Sequence, residues 1–213
     1  MKNVGMLHRL YVWLCRLGHC RGFGVQSPWA YSFVRYVINE HFPYYKYAVL
    51  RKRLPALGVA ERKVCEMYFR LSNFARLRTV ILCSSSGGYG WHDAVGTYFK
   101  AGRRQCEVMQ CGGLELTGVL HTVGETGRHP LAVVIDAAGA SGVSGVDVVK
   151  LPGMLASGDY ILIEDLRLRR DAAELWKRLY DGIDRGALFF DMYYCGIVYI
   201  DPERYKAHYK INF

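Results

Sequence analysis

The sequence predicts an α/β fold: a mostly parallel sheet covered by helices, closed by a C-terminal antiparallel hairpin and preceded by a helical extension. Three observations predict it. Short apolar runs at Thr79–Ser84, Gln105–Gln110, Leu131–Asp136 and Asp159–Glu164 read as buried strands. Helical segments at His92–Lys100, Asp147–Ala156 and Asp171–Tyr180 alternate with them, which is the pattern of a parallel sheet walled on both faces. Leu188–Tyr194 and Ile197–Ile200, joined by a turn at Cys195-Gly196, read as a hairpin.

The elements follow in chain order. Met6, Leu7, Leu10, Trp13, Leu14 and Leu17 recur at helical spacing, interrupted by Arg9 and Arg16, so this stretch is neither a membrane span nor a clean signal peptide. Such a basic amphipathic helix packs on its own domain or a partner, or lies on an anionic membrane. An uncovered apolar face would favour a homodimer. Ser27-Pro28 is a helix start, an N-cap residue before proline at the first helical position. Ala30, Phe33, Val34, Val37 and Ile38 continue it as an apolar stripe, and Pro43-Tyr44-Tyr45 ends it. Ala60–Ala75 forms the next helix, with Val64, Met67, Tyr68, Leu71 and Phe74 inward. Residues 1–76 thus make a helical extension packed on a core formed by 77–213.

A length of 213 residues suffices for one sizeable core, and 51% hydrophobic with 22% charged residues is a globular composition. The net charge of +9 is spread without a dense basic run, which reads as a solvated surface and argues against a nucleic-acid partner. The cysteines number 7, an odd count at irregular spacing with no CxxC pair, which points to a reducing, cytoplasmic compartment. Cys15-x-x-x-His19-Cys20 has no second close pair to complete a zinc site. No GxSxG elbow is present, so a hydrolase reading lacks support. The 16 tyrosines are explained by packing at least as well as by stacking on a ligand.

The most telling stretch is Thr79–Gly90, TVILCSSSGGYG, a strand running into a Ser/Gly loop and then a helix start near His92. Strand, small-residue loop and helix N-terminus form a place where α/β sheets hold nucleotide-like ligands. No Gly-Lys-Ser/Thr follows, so the loop is not a phosphate-gripping P-loop. His92 is a candidate base, and Asp93 a candidate helix cap, with a plain exposed His92 as the simpler reading.

GFGVQSPWAYSFVRYVINEHFPYY (22–45) resembles the GHGVHSPF…PYY segment of a methyltransferase-like family from Bacteroidetes, within the class I S-adenosylmethionine (SAM)-dependent methyltransferases. The tail MYYCGIVYIDPERYKAHYKINF is similar to that family's end, and FRLSNFARLRTVIL to its lead into the first strand. The resemblance implies a Rossmann-like methyltransferase sheet. It implies that Cys83, Ser84, Ser85, Gly87 and Gly88 cradle SAM, in a loop where the family carries an acid at the strand end. Gln110 or Cys111 holds the place of the acid that bridges the ribose hydroxyls. Between His121 and Leu131 there is too little chain for the family's third strand and its helix, a loss at the sheet edge.

LAVVIDAAG (131–139) and GDYILIED (158–165) resemble the family's later strand ends. In metal-dependent O-methyltransferases of related fold, acids there hold a divalent ion against a diol. The resemblance therefore marks Asp136, Glu164 and Asp165 as ligands for an ion such as Mg²⁺, which makes Asp136 a catalytic candidate beside His92, the candidate base at the helix start. Acids also end strands simply because the chain emerges into water there. Two readings stay open: methyl transfer to a small hydroxylated acceptor, or a methyltransferase-like fold without catalysis that binds a protein partner.

Overall fold

Burial on both faces decides which residues form the sheet's centre. In the computed structural model, which describes residues 5–19, 24–25, 27–84, 89–136, 148 and 150–213, every residue of β1 (Thr79–Cys83), β3 (Leu131–Ile135) and β4 (Tyr160–Glu164) is buried. With β2 (Glu107–Cys111), β5 (Ala187–Asp191), β6 (Cys195–Ile200) and β7 (Ala207–Lys210), they form a 7-stranded sheet in the order β2-β1-β3-β4-β6-β5-β7. The β2-β1-β3-β4 half is parallel. β6 runs antiparallel to both β4 and β5, and β7 lies parallel to β5. This is the Rossmann-like sheet with an antiparallel C-terminal hairpin that the sequence predicts.

The alternation of side chains sorts the core into two layers. Val80, Leu82, Ala132, Val134, Leu162 and Ile197 face the helices of the N-terminal third and α5 (Tyr89–Gly102). Ile81, Cys83, Val133, Ile135, Ile163 and Val198 face α6 (Leu116–Glu125) and α7 (Arg170–Gly182). Gly196 permits the second layer to close: a Cβ there would come within 2.4 Å of the Trp176 ring.

On the first layer, Ser27 Oγ accepts from the Ala30 N–H and Pro28 opens α2 (Pro28–Phe33), which continues as a π-helix over Val34–Ile38. Its predicted stripe is buried throughout. The helix ends at Ile38, ahead of Pro43-Tyr44-Tyr45, and α3 (Tyr45–Arg53) begins there instead. Only Tyr47 and Leu50 of α3 are buried, too sparse a pattern to announce a helix. Glu61 caps α4 (Val59–Phe74) by accepting from the Gly58 N–H. The buried Arg70 of α4 donates to the Val37 and Ile38 carbonyls and to Tyr47 Oη, tying three helices together.

Several expectations change. The β2-to-β3 connection holds α6 but no strand, so the third strand is missing while a helix remains, and β2 is the sheet edge. The hairpin turn lies at Met192–Tyr194, not at Cys195-Gly196, because Tyr193 adopts a φ of 72° and its N–H is accepted by Asp191 Oδ1. Around the predicted helix at Asp147–Ala156, the described part is a 3₁₀ turn at Leu151–Met154, and residues 147 and 149 lie outside the described residues. α5 begins at Tyr89, ahead of His92, so Asp93 sits past the first turn, exposed and not at the cap.

α4 and α5 approach closely at Gly102, where a Cβ would lie 2.2 Å from the Phe69 carbonyl oxygen. Backbone there has no rotamer with which to give way. Gly102→Ala is expected to destabilise the fold by about 1–3 kcal/mol. Gly118→Ala, on α6 with nothing within 4 Å of the added Cβ, is expected to be stabilising by about 0.5–1 kcal/mol. Thermal melts of the two variants against the parent check the pair.

Candidate active site

Parallel strands deliver their C-terminal ends to one edge, and here three of them end level. The Ser84 N–H donates to the Cys111 carbonyl and the Asp136 N–H to the Cys83 carbonyl, each at 3.1 Å. The ladder thus extends one residue past β1 and β3 and brings Ser84 and Asp136 side by side. Ser84 Oγ lies 3.4 Å from Asp136 Oδ2. His92, from the first turn of α5, brings Nε2 to 3.6 Å from the same Oδ2. His92 is buried, so the simpler expectation of an exposed histidine does not hold. The two residues marked as catalytic therefore meet.

Glu164 ends β4 on the same edge, facing the helical layer. Its Oε1 accepts from Tyr68 Oη of α4 at 2.9 Å, and its Oε2 from Trp91 Nε1 of α5 at 2.6 Å. Burial pushes this carboxyl up to about 7. The Trp91 and Tyr68 hydrogen bonds act the other way, while Asp136 and Asp165 add to the rise. Asp165 follows with a φ of 52°, a left-handed conformation that Asp tolerates better than most residues. Its Oδ1 is buried with no hydrogen-bond partner among the described residues, and burial raises its pKa as well.

Asp136, Glu164 and Asp165 thus share one edge as the sequence implies, yet they do not form a ligand set for an ion. Both oxygens of Glu164 are taken by Tyr68 and Trp91. Among the described residues no group of three His, Cys, Asp or Glu side chains is disposed to hold a metal. The residues present do not fit the divalent ion that the resemblance implies.

Of the residues marked for SAM, Ser85, Gly87 and Gly88 lie outside the described residues, as does Cys20. Gln110 is exposed and stands opposite Leu82, one residue before the strand end. Cys111 is the last residue of β2 and stands opposite Cys83. Both carry free thiols. A hydrogen bond from the Cys83 thiol to Cys111, together with burial, pushes the Cys83 pKa up, and the same hydrogen bond lowers that of Cys111 against the effect of its burial. Sequence reasoning missed Tyr68 and Trp91 as site residues. Tyr68 reads as one more apolar position of α4, and only its hydroxyl hints at a buried acceptor.

No protein-family model and no curated protein matches the chain. Solved structures resemble it in outline. The release-factor-specific protein-(glutamine-N5) methyltransferase of Alicyclobacillus acidocaldarius aligns with a TM-score of 0.47 and 14% identity, over 69% of this chain and 96% of that one. An O-methyltransferase of Bacillus cereus in complex with SAH aligns with a TM-score of 0.39 and 13% identity, over 78% and 95%. The O-methyltransferase TomG of Streptomyces achromogenes, in complex with SAM, gives 0.38 and 12%, over 79% and 94%. Likeness at this level is one of outline, and the fold assignment rests on the strand order itself. The narrower kinship with a Bacteroidetes family has no match behind it.

The raised carboxyl of Glu164 has a consequence for stability. A free Glu carboxyl titrates near about 4.3, so between there and about 7 the folded protein holds a proton that the unfolded chain has lost. The stability this group contributes is full below the lower value and is lost as pH rises through the upper one. Glu164→Gln mimics the protonated acid, with the amide oxygen facing Trp91 and the amide N–H₂ facing Tyr68. Urea unfolding across this range is expected to show the parent losing roughly a few kcal/mol relative to Glu164→Gln. Parallel curves would remove the assignment.

Proposed function

We propose that this chain is a class I SAM-dependent methyltransferase that transfers the methyl group to the hydroxyl of a small acceptor. The observation that carries the reading is the pairing of buried His92 with the half-buried Asp136 on the carboxylate-lined C-terminal edge of a parallel sheet, where ligands of open α/β folds bind. Bound SAM supplies an activated methyl group on a sulfonium, so the protein's task is mostly placement.

The charge of the edge supports the same reading. SAM carries a sulfonium and an ammonium, and Asp136, Glu164 and Asp165 put three carboxyl groups where the sheet ends, of which burial holds back the ionisation of Glu164 and Asp165 until a cation arrives. These acids stand at the ends of β3 and β4, whereas the ends of β1 and β2 carry Cys83 and Cys111. In this reading His92 takes the acceptor hydroxyl's proton, and Asp136, which faces its Nε2 at 3.6 Å, stabilises the imidazolium that forms. Ser84 Oγ, on the same carboxylate, orients Asp136. No step requires an ion.

A second reading keeps the fold and drops the catalysis. It is favoured by the missing carboxylates at Cys83 and Cys111 and has the chain bind a protein partner instead.

Calorimetric titration of SAM and S-adenosylhomocysteine decides first, followed by a screen of small phenols and catechols. Micromolar binding is expected, tightening as pH rises through about 7, because ionised Glu164 favours a cationic ligand. With a competent acceptor, His92→Ala is expected to lower kcat by about 10²–10⁴ with little change in SAM affinity. Binding without turnover on any acceptor would favour the second reading, and no binding at millimolar ligand would end the first.

A further inference from the structure

The N-terminal helix α1 (Met6–Cys15) is mounted with its polar side inward. Val12 is its buried residue, and Arg9 is half-buried. Just beyond it, Arg16 reaches into the core of the hairpin. Arg16 Nη2 pairs with Asp191 Oδ1 at 2.8 Å, and Nη1 donates to the Asp191 and Ile211 carbonyls. Asn212 Nδ2 donates to the Trp13 carbonyl and the Asn212 N–H to that of His19. His8 Nε2 lies 3.0 Å from Tyr193 Oη. These contacts fix the rotation of the helix.

The apolar side therefore faces outward. Met6, Leu7, Leu10, Tyr11, Leu14 and Leu17 are exposed, from 46% at Leu17 to 83% at Leu7. Cations border this face. A cavity of about 650 Å³ beside α1 is lined by Trp13, Tyr31, Arg35, Lys63 and Phe213 among others. A second, of about 330 Å³, shares Trp13, Lys63 and Phe213 and adds Arg9. Among the described residues neither Arg35 nor Lys63 forms an ion pair. The cavity's carboxylate, Glu40, accepts from the His41 and Phe42 N–H groups. Burial, with Arg70 and Arg9 adding to it, lowers Lys63 to about 8, and its Nζ lies 4.5 Å from the centroid of the Phe213 ring.

An outward apolar stripe beside cations that form no ion pair among the described residues, on a chain of net charge +9, is complementary to a surface that is apolar beneath and anionic on top. A second copy of the chain fits less well, since it would bring the same cations toward one another. We propose that α1 docks this protein on an anionic phospholipid surface, with Met6, Leu7, Leu10 and Leu14 in the acyl boundary and Arg9, Arg35 and Lys63 at the headgroup phosphates. No helix among the described residues is long and apolar enough to cross a membrane, so the contact is peripheral.

Co-sedimentation with vesicles tests this on the full chain, using phosphatidylcholine alone or with phosphatidylserine added. Binding is expected to the anionic vesicles and to weaken as salt rises to about 0.15 M. Leu10→Glu with Leu14→Glu is expected to lower the bound fraction by about tenfold or more, with an unchanged melting curve because both positions are exposed. Arg35→Glu, also exposed, is expected to weaken binding and flatten its salt dependence. Equal binding to phosphatidylcholine alone, no binding at low salt, or full binding by the double variant would overturn the proposal. So would a parent dimer in sedimentation velocity that the double variant converts to monomer, since the face would then be covered by a second copy.

Discussion

Helices cover both faces of strand β4, so a charged side chain in the middle of the strand would be buried away from water. Its two flanking acids therefore stand where the strand begins and ends, and both are buried. Asp159 precedes it and accepts from the Leu131 and Ala156 N–H groups, with His129 Nδ1 at 2.8 Å. Those partners are largely backbone, so this carboxylate bolts the start of β3 to the start of β4. Glu164 ends the strand with side-chain partners alone, from two different helices. Backbone amides cannot leave an acid without the chain unfolding locally, whereas a Tyr hydroxyl and an indole N–H move with their helices. One end of β4 is consequently held mainly by backbone amides and the other by two side chains.

The same constraint sets the surroundings of the Ser/Gly loop. Trp91 and His92 are consecutive at the start of α5, yet Glu164 of β4 holds one and Asp136, just past β3, faces the other. On the near side of the loop, Ser84 is tied to Cys111 and lies beside Asp136.

The central strands were legible because a buried parallel strand is a short unbroken apolar run, and β1, β3 and β4 read that way. The Ser27-Pro28 start was legible because its chemistry is local. α3 was not, since two buried residues in nine make no stripe. β7 offered only a short alternation, with Ala207 and Tyr209 half-buried and His208 and Lys210 exposed. The acids at the strand ends could be picked from the sequence, but not their partners. The contacts of Glu164 with Tyr68 and of His92 with Asp136 join positions remote in the chain, and only the assembled sheet shows which helix end reaches which strand end.

The period of α1 was equally legible, and its direction was not. A stripe of leucines ordinarily marks the inward face of a helix, yet here Asp191 is fully buried and demands cations. Burial alone would push its pKa up, and Arg16 and Arg167 outweigh that and hold it low. Arg16 and Arg167 both reach that carboxylate, and Val12 and Asn212 hold the helix in the same rotation, so the demand of one buried acid, and not the period of the leucines, decides which side of α1 faces the protein.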